Sequence, residues 1–415
     1  MIKFIHTADI HFGVENYGKL DPHTGIHSRL LDFERALNFI IDRAIEEQVD
    51  FFLFAGDAYK TAHPSPTQQK FLMRCFLRLY QAKIPVVIIV GNHDNPLSFG
   101  KANSLEIFGD MPLEHFYVID KPQLLTLETK HGPVQIVGIP WPTRNTISLN
   151  KKHLVYSIEQ ITLYISQAVS ALIQDFAHKC DPTIPSVLAG HLTVSSGVFS
   201  GSEKRAIYGN DPTLLPSQLA IDPFDYVALG HLHRHQDLNP QAHPPVVYSG
   251  SIERIDFGER REPKGFCLVE LEREHTNYHF IQTPMRPFIQ IEVSFAPDEQ
   301  DQTAVLITAI QKEQIAQAII KIIYHLPAHQ PDRVNLGMIE RACASAHYLV
   351  GIFPVHTTHT REKRKNIQLS LELGELLQNY FAEKPQYAQQ KQMLTQKALE
   401  IYAQSQQELS EPTEE

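Results

Sequence analysis

Five short segments of this 415-residue chain carry the side chains best suited to chemistry: Asp9-Ile10-His11, Gly56-Asp57, Gly91-Asn92-His93-Asp94, Gly190-His191 and Gly230-His231-Leu232-His233. Together they supply five histidines, three aspartates and one asparagine. Hard carboxylate oxygens mixed with imidazole nitrogens, with no thiolate among them, suit Mn²⁺, Fe²⁺ or Zn²⁺ better than a soft metal. Two divalent ions about 3.5–4 Å apart can share one carboxylate and clamp both the attacking and the leaving oxygen of a phosphoryl displacement. Asp57 is placed to be that bridge. No single histidine carries this reading, because the chain has 22. Its weight lies in polar segments that each follow an apolar run, since a quartet such as Gly-Asn-His-Asp at a strand end needs a reason to exist. The glycines before Asp57, Asn92, His191 and His231 fit tight strand exits that let neighbouring loops approach. His231 and His233, two apart, point to one side of an extended segment.

The elements that must position these segments are legible in the apolar pattern. Ile2 to His6, Phe51 to Ala55 and Val86 to Val90 are short, buried-strand runs. Between the first two, Leu30, Phe33, Leu37, Ile40, Ile41, Ala44 and Ile45 recur at helical spacing. Ser65-Pro66 opens a second helix as N-cap and first helical residue, continuing through Phe71, Leu72, Cys75, Phe76 and Leu79. The succession βαβαβ predicts a layered α/β fold with parallel strands, and ligands in such folds gather at the carboxyl ends of strands. Later strands are expected at 134–139, 186–189, 226–229, 246–249 and 265–271. The catalytic domain then spans 1–284. From Phe288 the texture changes to strand, helix, strand, helix, strand: 289–295, 303–312, 318–326, 336–347 and 348–355. This predicts a small α+β domain over 285–356. A basic run, Arg361 to Lys365, leads into two amphipathic helical stretches and an acidic end within 357–415.

Composition bounds the rest. A chain of 43% hydrophobic and 20% charged residues reads as an ordinary soluble protein, and no apolar run approaches the roughly 18 residues of a membrane span. The start, Met1 to His6, lacks a signal-peptide layout, so a cytoplasmic protein without membrane contact is expected. Cys75, Cys180, Cys267 and Cys343 are scattered and form no Cys-x-x-Cys pair, so neither a disulfide framework nor a thiolate zinc site is indicated. A formal net charge of −10 repels polyanions overall, so any nucleic-acid contact must use a local basic patch, bound metals or a partner.

The order Asp-x-His, Gly-Asp, Gly-Asn-His-Asp, Gly-His, Gly-His-x-His resembles the calcineurin-like metallophosphoesterase superfamily. Three longer matches resemble its SbcD group of double-strand-break repair nucleases: His6 to Gly13, Pro64-Ser65-Pro66, and above all Tyr248-Ser249-Gly250-Ser251-Ile252-Glu253-Arg254 running through Asp256-Phe257-Gly258-Glu259 to Lys264-Gly265-Phe266. The resemblance implies a layered β-sandwich core flanked by helices, with a small α+β cap and a helical C-terminal tail. It implies two divalent metal ions, with Mn²⁺ the expected species: one held by Asp9, His11, Asp57 and His233, the other by Asp57, Asn92, His191 and His231. His93 is by the same similarity the catalytic residue that stabilises or protonates the leaving oxygen, with Asp94 orienting it. The implied activity is a 3′→5′ double-strand exonuclease and single-strand endonuclease. It would act on double-stranded DNA ends and hairpins in repair and recombination, as a homodimer with an SbcC-type coiled-coil ATPase gripped by the tail helices.

Several readings compete. Where some relatives have histidine three positions after the Gly-Asp aspartate, this chain has Lys60, either a phosphate contact or a solvated surface lysine. Arg254, Arg260, Arg261 and Lys264 could track a DNA backbone, yet Glu253, Glu259 and Glu262 interleave with them, as in a salt-bridged loop. The tail helices could instead pack on the cap. The same metal site could serve a phosphatase or phosphodiesterase for small phosphate esters. A non-catalytic scaffold should have lost ligands, whereas every position of the pattern is kept.

Overall fold

The computed structural model describes residues 1–96, 101–110, 114–143, 157–201, 211–328, 330–356, 373–382 and 388–410. The basic run 361–365 and the acidic end 411–415 lie outside them.

The chain opens as predicted: β1 (Ile2–Thr7), helix α1 (Ser28–Glu46), β2 (Phe51–Phe54), helix α2 (Pro66–Gln81) and β3 (Val86–Ile89), followed by the short helix α3 (Glu106–Asp110) and β4 (Phe116–Ile119). β1 to β4 pair in parallel. A hairpin, β5 (Gln123–Thr129) and β6 (Gly132–Ile139), leads to α4 (Ile158–Lys179) and β7 (Ser186–His191). Then come a two-stranded pair, β8 (Thr193–Val194) with β9 (Thr213–Leu214), and β10 (Tyr226–Gly230), β11 (Gln236–Asp237), β12 (Val246–Tyr248), β13 (Gly265–Leu271) and β14 (Asn277–Gln282). Two six-stranded sheets result, ordered β14-β13-β1-β2-β3-β4 and β11-β12-β10-β7-β6-β5.

Side-chain alternation builds the layers. On β2, Phe52 and Phe54 face the helix side with Leu30, Phe33 and Leu37 of α1 and Phe76 of α2. Phe51 and Leu53 face the other way and meet Val134, Ile136, Val187, Ala189, Tyr226 and Ala228 between the sheets. Beyond the second sheet, Val137, Leu188, Val227 and Leu229 bury Ile161, Ile165, Val169 and Ile173 of α4. The fold is thus a helix–sheet–sheet–helix sandwich, with both faces of its central strands buried, which is why those strands read as continuous apolar runs. Each fully buried Phe, Leu or Ile contributes about 1.5–3 kcal/mol. Helix α2 starts where the sequence places it: Ser65 Oγ accepts the Gln68 amide hydrogen at 3.3 Å and Gln68 Oε1 accepts that of Ser65 at 2.9 Å, a reciprocal capping box.

A three-stranded sheet follows, ordered β15 (Phe288–Ser294), β16 (Ile319–Leu326), β17 (Tyr348–His356), with helices Gln302–Gln311 and Leu336–Ala342. The second of these helices is shorter than the predicted 336–347. Turn hydrogen bonds from Ala344 to Arg341 O and from Ala346 to Cys343 O end it, so that the chain can reverse into β17. Residues 1–294, 299–324 and 333–354 form one compact unit. The second comprises 295–298, 325–332 and 355–415; in it helices Leu373–Ala382 and Lys391–Ser410 pack on each other and expose Tyr380, Met393, Ile401 and Tyr402. Among the described residues no helix is long and apolar enough to cross a membrane.

Candidate metal centre

Central strands of the two facing sheets end at one place, and their exits carry the predicted ligands. Asp9 and His11 follow β1, Asp57 follows β2, Asn92 follows β3, His191 closes β7, and His231 and His233 follow β10. Backbone hydrogen bonds lace the first two exits together: Asp9 N to Gly56 O at 2.9 Å and His11 N to Asp57 O at 3.0 Å. Asp9 (φ 53°), His11 (53°), Asp57 (61°) and His231 (104°) all adopt left-handed backbone. Such conformations cost roughly 1–3 kcal/mol each in non-glycine residues and concentrate at functional sites. The sequence pattern gives only a weak sign of them.

All seven predicted ligands and His93 come together. His11 Nε2 lies 3.0 Å from His233 Nε2 and 3.7 Å from Asp57 Oδ2. His191 Nε2 lies 3.3 Å from Asp57 Oδ2 and 2.9 Å from Asn92 Oδ1, and His231 Nδ1 is 3.2 Å from that same Asn92 oxygen. Three groups, Asp9/His11/His233, Asp9/Asp57/His191 and His11/Asp57/His93, each present ligand atoms within 4.8 Å of one another. Asp57 stands between the His11 side and the His191 side. Its approach to Gly91 is close enough that a Cβ there would fall 2.2 Å from Asp57 Oδ1, and a Cβ at Gly56 (φ +97°) would fall 2.4 Å from His191 Nδ1. Glycine at these two exits is a packing requirement.

The donor set fits divalent cations. His191 Nδ1 donates to the Ala55 carbonyl at 2.7 Å, so the neutral ring turns its bare Nε2 toward two oxygens, of Asn92 and Asp57. That arrangement demands positive charge at Nε2, a proton or a metal ion. Burial depresses the His191 pKa, but the Asp57 carboxylate outweighs it and lifts the value to about 9. Burial works to raise Asp57, while His191 and His11 hold it far below the carboxylate range. Burial, reinforced by His191, brings His231 down to about 3, and burial also keeps His11 well below its ordinary value. Both rings are therefore neutral at pH 7 and keep a lone pair for a metal.

Supporting contacts correct one expectation, the orienting role of Asp94, and bear on the readings left open at Lys60, Lys264 and Arg254. Asp94 does not orient His93: its carboxylate accepts amide hydrogens from Asp57 (2.8 Å), Ala58 (3.0 Å), Tyr59 (3.4 Å) and Gly91 (3.1 Å). The exposed His93 ring instead donates from Nδ1 to the Lys60 carbonyl at 2.8 Å, so position 60 acts here through its backbone. Lys264 is not a DNA contact, because it is fully buried, bonded to the His233 carbonyl at 2.9 Å and paired with Glu259 at 3.0 Å. Glu259 in turn accepts from His233 Nδ1 at 2.9 Å and fixes that ring's tautomer. Burial would raise Glu259, but Lys264 and His233 bring it down to about 2. Arg254 is likewise spent on internal partners, the carbonyls of Arg286 and Glu262. Trp141, which sequence reasoning passed over, packs its ring 4.8 Å from that of His231 and 6.0 Å from that of His191.

A cavity of about 590 Å³ lies elsewhere, at the opposite ends of β2 and β3, bounded by Asp50, Lys83, His115 and Lys130; no residue of the metal centre lines it.

Comparison with known proteins places the cluster. The chain is 28% identical over 295 residues to the SbcD component of the SbcCD nuclease of Staphylococcus epidermidis, covering 70% of this chain and 72% of that one. Among solved structures, TT1561 of Thermus thermophilus aligns with a TM-score of 0.38 at 13% identity, and a dimetal phosphatase from Danio rerio with 0.40 at 10%; each alignment covers 67% of this chain and 98% of the other. The family model for calcineurin-like phosphoesterases matches residues 2–235, a span that holds every one of the clustered residues from Asp9 to His233. The chain belongs to the calcineurin-like phosphoesterase family.

Proposed function

We propose that this phosphoesterase is a metal-dependent DNA nuclease, the SbcD-type component of an SbcCD-like complex. The observation that carries the reading is the similarity to the Staphylococcus epidermidis nuclease component over 70% of the chain, joined to a shared-carboxylate cluster built for phosphoester hydrolysis. In this reading Asp9, His11, Asp57 and His233 hold one divalent ion, and Asp57, Asn92, His191 and His231 hold the second, with Mn²⁺ the preferred species. Two such ions supply Lewis acidity to the phosphoryl group and a nucleophile from water at neutral pH. The chain's own residues do the rest. His93, with Nδ1 committed to the Lys60 carbonyl, keeps Nε2 for the leaving oxygen. Glu259 and Ala55 O hold His233 and His191 in the tautomers that leave Nε2 available.

The activity proposed is 3′→5′ exonucleolytic on duplex ends and endonucleolytic on single strands, including hairpins, in a cytoplasmic homodimer with an SbcC-type ATPase. Residues 1–284 are the nuclease domain, 285–356 the DNA-capping domain and 357–415 the ATPase-binding segment. The exposed Tyr380, Met393, Ile401 and Tyr402 suit that last role. Incubation of the purified chain with Mn²⁺ and end-labelled duplex, with and without the ATPase, tests the proposal. Progressive shortening from the 3′ end is expected. Intact DNA under both conditions, with rapid hydrolysis of small phosphodiesters, would replace the nuclease by the small-ester enzyme.

A further inference from the structure

Three imidazoles of the centre are anchored through the nitrogen that faces away from it. His191 Nδ1 donates to Ala55 O at 2.7 Å, His233 Nδ1 to Glu259 Oε1 at 2.9 Å and His93 Nδ1 to Lys60 O at 2.8 Å. His231 turns Nδ1 toward Asn92 Oδ1, and its other nitrogen, Nε2, is buried without a hydrogen bond. The backbone of this residue is strained at φ 104°, and Trp141 lies against its ring, so the ring has little freedom to find another partner. Among the described residues, the Asp211 carboxylate faces Nε2, its Oδ2 3.8 Å away. Asp211 is held in place by the short sheet beside the site. It lies two residues before the start of β9, whose Thr213 pairs with Thr193 of β8, two residues after His191. Asp211 itself is half-buried, its side chain 27% exposed, and burial raises its pKa.

We infer that Asp211 is the positioning carboxylate of His231. It receives the Nε2 hydrogen and thereby fixes the tautomer that leaves the Nδ1 lone pair free for a cation. The role parallels that of Glu259 toward His233, so that each half of the centre has one buried histidine backed by an acid. The 3.8 Å separation is longer than a hydrogen bond and is closed by rotation of the Asp211 side chain or by one bridging water. The inference rests on the two-ion reading and extends it to a residue that lies outside all five motif segments.

The chain's single tryptophan makes the test local, since Trp141 touches His231 and His191, both assigned to the second ion, and its fluorescence reports that ion's arrival. The full chain, stripped with chelator, is titrated with Mn²⁺ by calorimetry and by Trp141 fluorescence. The wild type should bind two ions. Asp211→Ala should weaken the ion that alters Trp141 fluorescence by about 10–100-fold, while the other ion and the thermal midpoint stay as in the wild type. Asp211→Asn, which keeps an acceptor oxygen, should recover most of the loss. Unchanged affinity for both ions in Asp211→Ala overturns the assignment alone. Equal weakening of both ions with a lowered thermal midpoint and no recovery in Asp211→Asn also overturns it, in favour of a purely structural role. A wild-type chain that binds fewer than two ions overturns the two-ion reading, and Asp211's role with it.

Discussion

Asp94 holds Asp57 by its backbone: Asp94 Oδ2 accepts the Asp57 amide hydrogen at 2.8 Å, while Oδ1 accepts those of Ala58 and Tyr59 at 3.0 and 3.4 Å. Three successive N–H groups, wrapped by the left-handed turn at Asp57, form a nest around one buried carboxylate. The proposed bridging ligand is therefore aimed by its main chain. Buried donors left unpaired cost about 1–3 kcal/mol each. Asp94→Ala should lower the thermal midpoint and weaken Mn²⁺ binding, although Asp94 is no ligand. Asp94→Asn, with one acceptor oxygen left, should fall between it and the wild type. Full Mn²⁺ affinity in Asp94→Ala would show that the turn holds its shape unaided.

His93 and Asp57 should separate chemistry from metal binding. His93 is exposed and its ring hydrogen-bonds to a backbone carbonyl, so His93→Ala should keep Mn²⁺ binding while cleavage falls by about 10²–10⁴-fold. Asp57→Ala should lose both. Because the Lys60 contribution to His93 is its carbonyl, Lys60→Ala should leave His93 oriented and cleavage undiminished. Cleavage at the wild-type rate in His93→Ala would remove this residue from the reaction.

The ligands were legible because each is a polar residue at the end of an apolar strand, and the helix faces because Leu30, Phe33 and Leu37 recur at helical spacing. Their partners were not. Asp94 reads in sequence as a neighbour of His93, yet it bonds across 37 residues to Asp57, and Glu259 reaches His233 across 26. Local periodicity carries no record of such pairings. Lys264 looks like a surface cation among acids, and only the fold shows that it is buried and pairs with the buried Glu259 and the partly buried Glu262. Strand β5 leaves a weak pattern because most of its residues are only partly buried or exposed, whereas helix α4 does carry a signal that could have found it, the Ser157–Gln160 capping box ahead of its apolar face. Strain at Asp9, His11 and His231 leaves only a weak compositional trace, since glycine, its usual marker, is absent there and Asp and His are merely enriched at positive φ.

A buried ion network ties the β15 end of the three-stranded module to α1. Arg286 holds both oxygens of Asp32, from Nε at 2.7 Å and Nη2 at 2.6 Å, and the fully buried Arg29 adds a third bond at 2.8 Å. Burial works to raise the Asp32 pKa, but Arg286 and Arg29 outweigh it, so the folded value lies below the ordinary 3.8. A depressed acid stabilises the fold above its unfolded pKa and loses that contribution as pH falls through the folded one. Removing one partner of such a buried pair costs about 3–5 kcal/mol. Asp32→Asn should therefore melt well below the wild type at pH 7, and the gap should shrink progressively as the pH is lowered beneath 3.8. A gap that stays constant down to the acid limit of folding would mean that the carboxylate's charge is not what binds the module.

Gly91 offers the most direct steric test of the Asp57 geometry. A Cβ there would sit 2.2 Å from Asp57 Oδ1 and 2.5 Å from Asp57 N, and neither atom can retreat freely. Oδ1 already accepts the His93 amide hydrogen at 2.9 Å, and N already donates to Asp94 at 2.8 Å. Gly91→Ala must therefore break one of these bonds or push the Asp57 carboxylate out of line, at the roughly 1–3 kcal/mol typical of overpacking. Its Mn²⁺ affinity should fall together with its thermal midpoint. Gly109→Ala is the control, because its Cβ would meet Val118 at an ordinary 3.5 Å within α3, far in sequence from the ligands. That variant should bind Mn²⁺ as the wild type does. If Gly91→Ala behaves like Gly109→Ala, the Asp57 carboxylate has room that the structure does not show, and its place as a fixed bridge between two ions falls.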